Sequence, residues 1–156
     1  MDKIIVTNLS ALTKKYGDKR ARLDAAISKL LAADAKRGMK SKLVALDDKQ
    51  QMTLAGGVPV NRADNTKQVK DAIDAVYKKY RPDYLMILGG PDVIPHQLLP
   101  NPAYDPGGDD DKFVPCDLPY ACDAPFGTKA KTFLGPTRVV GRMPDLINAT
   151  DPRYVI

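Results

Sequence analysis

Three short apolar runs constrain this chain more than any other feature. They are KIIVT at 3–7, KLVAL at 42–46 and DYLMIL at 83–88. Each is strand-length and apolar on successive residues, as expected of strands buried on both faces. The segments between them carry helical spacing. Leu23, Ala26, Ile27, Leu30 and Leu31 form one stripe, and Val69, Ala72, Ile73, Val76, Tyr77 and Tyr80 form a second. Strand and helix thus alternate as β-α-β-α-β. That pattern predicts a three-layer α/β/α fold with a mainly parallel, Rossmann-like sheet and right-handed crossovers.

Local signals set the boundaries. Asp18 is a candidate cap for the first long helix, Lys36 and Arg37 sit at its negative end, and Gly38 stops it. Asn65 and Gln68 have capping-box spacing before the second, and Pro82 ends it. SALTKKYG adds a helical turn after the first strand, and MTLAGGVPV at 52–60 reads as a small hairpin turning at Gly56-Gly57. Beyond residue 90 the texture changes, since 11 of the 13 prolines lie between 91 and 152. Residues 96–117 read as a long irregular excursion, 117–123 as a short extended segment, and PTRVVGRMP at 136–144 as a further strand. At the end, Thr150 or Asp151 can cap a helix with Pro152 in its first turn. The expected organisation is one α/β domain over 1–156, or the first half of one. Residues 1–90 are its regular part; 91–156 hold Pro-rich loop, short strands and the start of a helix.

Composition narrows the chemistry. No run approaches the roughly 18 apolar residues of a membrane span, and MDKIIVTNLS has no signal-peptide h-region, so a cytoplasmic protein is expected. All 19 acidic residues are Asp, so any carboxylate chemistry must come from Asp. Residues 1–81 hold 18 Lys and Arg against nine Asp. These cations are interleaved with Asp along helix faces, which reads as solvated surface and not as a nucleic-acid site.

The stretch YLMILGGPDVIPH, residues 84–96, suggests a site because glycines and the chain's one histidine follow a strand. It lacks both phosphate-loop glycine patterns, and its prolines remove amide donors. The glycines therefore read as a sharp turn, with Asp92 capping the segment that follows. Cys116 and Cys122 are spaced C-x5-C, neither a zinc knuckle nor a redox pair. A zinc site would need both, His96 and a carboxylate. A Cys/His dyad from these residues lacks any local support, and His96 has no visible partner. YDPGGDDDK clusters carboxylates without EF-hand spacing and reads as a solvated turn. No metal or cofactor is expected.

The order DYLMILGGPDVIP, then CDLPYACD, then PTRVVGRMPD resembles the caspase-like cysteine peptidases, especially their gingipain-like branch. Leu88-Gly89-Gly90, Ile94-Pro95, Asp117, Tyr120 and Gly141-Arg142 carry the resemblance, which covers about residues 66–156; the first 65 agree by topology only. It implies a caspase-like sheet, incomplete in this segment, and peptide-bond hydrolysis by a Cys/His dyad downstream of Ile156. The expected partners are then a peptide or protein substrate and the remaining part of the domain. Ligands of parallel sheets bind at the carboxyl ends of the strands. That makes Asp92, Asp117 and Asp123 the candidate substrate-binding residues, Asp117 foremost; as simple residues they cap turns. Two other functions fit the same segments: a non-enzymatic caspase-like interaction module, and a small-ligand or nucleotide-binding doubly wound domain.

Overall fold

The structure is a computed structural model describing residues 1–156. Its centre is a four-stranded, wholly parallel sheet in the order β2-β1-β3-β6. These strands are β1 (Lys3–Thr7), β2 (Ser41–Ala45), β3 (Tyr84–Leu88) and β6 (Val139–Met143). Helices α1 (Leu9–Tyr16), α2 (Arg20–Lys36), α3 (Lys49–Leu54) and α4 (Thr66–Tyr80) flank it, giving a three-layer α/β/α arrangement. No helix is long and apolar enough to cross a membrane.

The predicted stripes are the faces that pack. Leu23 and Ile27 of α2 are buried, as are Val69, Ala72, Ile73 and Val76 of α4. They enclose Ile4, Ile5, Val6, Val44, Leu85 and Ile87 in one main core. The Asn65 side chain caps α4 by accepting from the Gln68 amide. Gln68 does not return the bond to Asn65; its carbonyl oxygen accepts from the amides of Asn61 and Arg62 and fixes the preceding loop.

Several local expectations are corrected. Asp18 does not cap α2, because a 3₁₀ turn at Gly17–Lys19 leads straight from α1 into it. SALTKKYG lies in a complete helix, capped by Asn8, whose side chain accepts from Ala11 N. Residues 49–54 are helical, not the first arm of a hairpin, because Asp48 caps them through the Gln51 amide. The excursion at 96–117 contains an antiparallel hairpin, β4 (Gln97–Pro100) with β5 (Phe113–Cys116). Residues 118–121 form a 3₁₀ turn where an extended segment was expected. At the end, Asp151 caps a short 3₁₀ turn at Pro152–Tyr154.

The Gly89-Gly90 turn has two physical requirements. Gly89 lies at φ +119°, where a side chain is strained, and a Cβ on Gly90 would sit 2.7 Å from the Asp145 carbonyl oxygen. The second glycine thus lets the chain leaving β6 cross close to the end of β3.

Candidate functional site

The carboxyl ends of the four strands carry two polar clusters. The first surrounds a crevice of about 760 Å³. It is lined by α1, by the segment between α3 and α4, and by the turns after β2, β3 and β6, including Lys14, Asn61, Asp47, Asp92 and Asn148. With strand order β2-β1-β3-β6, the connections diverge beside β1, the usual ligand position in open parallel sheets.

A phosphate at this crevice would use the first amides of α1. Those amides are taken. Asp47 accepts from Leu9 N and Ser10 N at 2.8 Å each, and from Ser10 Oγ at 2.6 Å. An internal carboxylate thus lies where an anionic ligand would, and neutralises the positive end of the helix.

Asp92, a candidate substrate-binding residue that lines the crevice, does not cap its own turn. Lys15 Nζ lies 3.0 and 2.8 Å from its two oxygens, and the Asn148 amide donates to it. Lys15 also donates to the Leu146 carbonyl and lies 3.8 Å from Asp145. Tyr16 Oη donates to Asp145 at 2.5 Å. Burial, that hydrogen bond and the nearby carboxylates push the Tyr16 hydroxyl well above its ordinary pKa. This network clamps the loops after β3 and β6 to α1.

The second cluster gathers the quoted motifs around one guanidinium. Arg142 of VVGRMP makes a fork to Asp117 of CDLPY, Nε to Oδ2 at 2.7 Å and Nη2 to Oδ1 at 2.6 Å. Its Nη1 donates to the carbonyls of Gly89 and Ile94, both in LGGPDVIP, at 2.9 Å. Tyr120, fully buried, donates to the Pro95 carbonyl at 2.6 Å and accepts from Gln97 Nε2. Two charge-assisted bonds in fork geometry make the Arg142–Asp117 pair strong and directional.

His96 does have a partner. Its Nδ1 is 2.9 Å from Asp117 Oδ1. Burial pushes the Asp117 carboxyl up, but Arg142 and His96 outweigh it and hold the group below its ordinary range. An ionised carboxylate only accepts, so Nδ1 is the donor in this hydrogen bond. Sequence reading missed this pair because the two residues are 21 positions apart.

Asp123 belongs to a third cluster, away from Asp92 and Asp117. It accepts from Arg138 Nε and Nη2 at 3.1 and 2.8 Å, and Arg138 holds its carboxyl below the ordinary range. Arg138 Nη1 also reaches Asp74 at 2.6 Å, and its guanidinium lies 4.3 Å from the Tyr77 ring centroid. Asp74 in turn takes both oxygens to Lys70 Nζ at 2.6 Å, and Lys70 donates to the Cys122 carbonyl. The three expected substrate-binding residues are therefore not brought to one cleft; each is held by its own cation.

The cysteine thiols make no hydrogen bond to the residues of these clusters. Cys122 is buried with Leu99 and Phe133 in a small second core, and Cys116 packs against its rim. Burial pushes the Cys122 thiol up, away from the thiolate form. No group of three or more His, Cys or Asp side chains is arranged to hold a metal ion.

Comparison with protein-family models, curated proteins and solved structures returns no match.

Proposed function

We propose that the chain is the scaffold part of a caspase-like, gingipain-like cysteine peptidase domain. In this reading, a Cys/His dyad beyond Ile156 attacks the peptide bond through a thiolate, with histidine as base. One observation carries the reading. The three motifs that resemble the family converge on Arg142, which binds Asp117 and the two carbonyls of the strand-end turn. The motif residues thus act together as one brace, which is a reason for them to occur together. In the same reading Asp117 is a positioning residue and not a substrate ligand.

The test compares two polypeptides on a fluorogenic peptide mixture. The 156-residue chain is expected to show no hydrolysis sensitive to iodoacetamide, and its Cys116 to be alkylated before the buried Cys122. The natural full-length polypeptide is expected to hydrolyse peptides, with Cys116→Ser and Cys122→Ala leaving the rate unchanged. Iodoacetamide-sensitive hydrolysis by the short chain, lost on Cys122→Ala with the fold intact, would overturn the proposal. So would an inert full-length polypeptide, which would favour an interaction module.

The crevice beside β1 favours a second reading, a small-ligand-binding doubly wound domain. A thermal shift with small polar ligands tests it. Nucleotides are expected to give no shift, since Asp47 occupies the helix amides.

A further inference from the structure

The charges around the crevice beside β1 are unevenly engaged. Its three carboxylates all have partners within the chain. Asp47 accepts from the Leu9 and Ser10 amides, Asp92 is paired with Lys15, and Asp64 lies 3.0 Å from Arg62 Nη2. Lys15 also donates to the Leu146 carbonyl. One lining charge is left over: the Lys14 ammonium, exposed on α1, makes no ion pair or hydrogen bond with the protein.

Three uncharged groups share that state. The side-chain amides of Asn61 and Asn148 and the Thr150 hydroxyl line the same crevice and bond to no protein atom. These groups come from separate walls. Lys14 is on α1, Asn61 lies between α3 and α4, and Asn148 and Thr150 follow β6. Each is hydrated when free, so a ligand gains by meeting several of them at once.

The unpaired set selects among ligand classes. A cation would need a carboxylate, and would displace Lys15, Arg62 or the helix amides to reach one. A phosphate dianion would meet three carboxylates and one free cation, and Asp47 already fills the helix N-terminus. An uncharged polyol would leave Lys14 unused. One carboxylate and several hydroxyls match all four groups, because side-chain amides and hydroxyls both donate and accept.

We propose that the crevice binds a small hydroxy acid, a monoanion of the sugar-acid kind. Its carboxylate pairs with Lys14, and its hydroxyls bond to Asn61, Asn148 and Thr150. This rests on the small-ligand reading of the crevice and does not depend on a peptidase dyad.

The test is a nuclear magnetic resonance titration of the 156-residue chain with sodium gluconate at fixed ionic strength. Saturable shifts are expected at residues lining the crevice. Lys14→Gln is expected to weaken binding roughly tenfold, as for loss of a hydrogen bond to a charged group, and Lys14→Arg much less. Asn148→Gly removes a side chain from a backbone at φ +62°, which glycine adopts freely, so it is expected to weaken binding with the fold intact. Sorbitol, which keeps the hydroxyls and lacks the carboxylate, is expected to bind roughly tenfold more weakly. A phosphorylated gluconate is expected to bind no tighter than gluconate. Sorbitol or glucosamine binding at the crevice as well as gluconate would overturn the hydroxy acid and leave a small-ligand site. Tighter binding of the phosphorylated form, or gluconate binding that Lys14→Gln leaves unchanged, would overturn it too. No crevice shift with any of these probes would overturn both the hydroxy acid and the small-ligand reading.

Discussion

Replacing Asp74 by alanine is expected to destabilise the chain by about 3–5 kcal/mol, the usual cost of removing one partner from a buried ion pair. Lys70 is fully buried and Arg138 nearly so, and both use Asp74 as counter-ion. Without it Lys70 keeps one carbonyl partner, and Arg138 keeps the exposed Asp123. For a domain of this size the melting temperature should fall on the order of 10 °C. Burial already lowers the Lys70 pKa despite Asp74, so the variant should lose that proton more readily. Replacing Lys70 and Asp74 together by Met and Leu is expected to cost less than Asp74→Ala alone, because no charge is then left buried. Thermal melts of the wild type and the two variants decide the matter. A loss below about 1 kcal/mol in Asp74→Ala would mean that the pair behaves as a solvated surface bridge.

Asp117→Ala is the second large effect, expected at about 3 kcal/mol for loss of a half-buried, bidentate charge pair. Arg142 would retain only its two carbonyl contacts, and His96 would lose its anchor. The pH dependence follows from the lowered Asp117 carboxyl. Below its unfolded value, near 4, the unfolded chain binds a proton that the folded chain still refuses. Stability from this group is therefore complete above that value and is lost as pH falls through the folded one. Asp117→Asn is expected to be less damaging than alanine and to make acid unfolding shallower. Denaturant unfolding at a series of pH values measures both. Equal acid sensitivity in wild type and Asp117→Asn would remove Asp117 from the account.

Physical pattern explains which parts of this fold can be read from residues alone. The first three strands are short continuous apolar runs and the two long helices are strongly periodic, and the helices' buried faces are those the spacing names. The hairpin β4–β5 escaped because Pro100 and Pro115 lie inside its strands, which only an edge ribbon tolerates. Helix α3 escaped because Gly56-Gly57 signals a turn equally well after a helix or within a hairpin. Lys70 and Asp74 did leave a signal, an i,i+4 pair flanking the apolar stripe of α4, but such pairs are ordinarily solvated. The Arg142–Asp117 brace left none, because only the return of β6 beside β3 brings residues 25 apart in the chain together.

That late return has a consequence for how the chain assembles. β1, β2 and β3 join through helices that pack as they form, whereas β6 must close a loop running from Leu88 to Val139 before any of its contacts exist. Loop closure of this length is an entropic barrier met before the stabilising contacts are made. The first three strands should therefore gain protection from amide exchange ahead of β6 during refolding, and β6 should be the first strand to open in the native state. Pulse-labelled exchange in which β6 is protected as early as β1 would contradict this order. On this account, Arg142 is a latch that closes last over a sheet already folded.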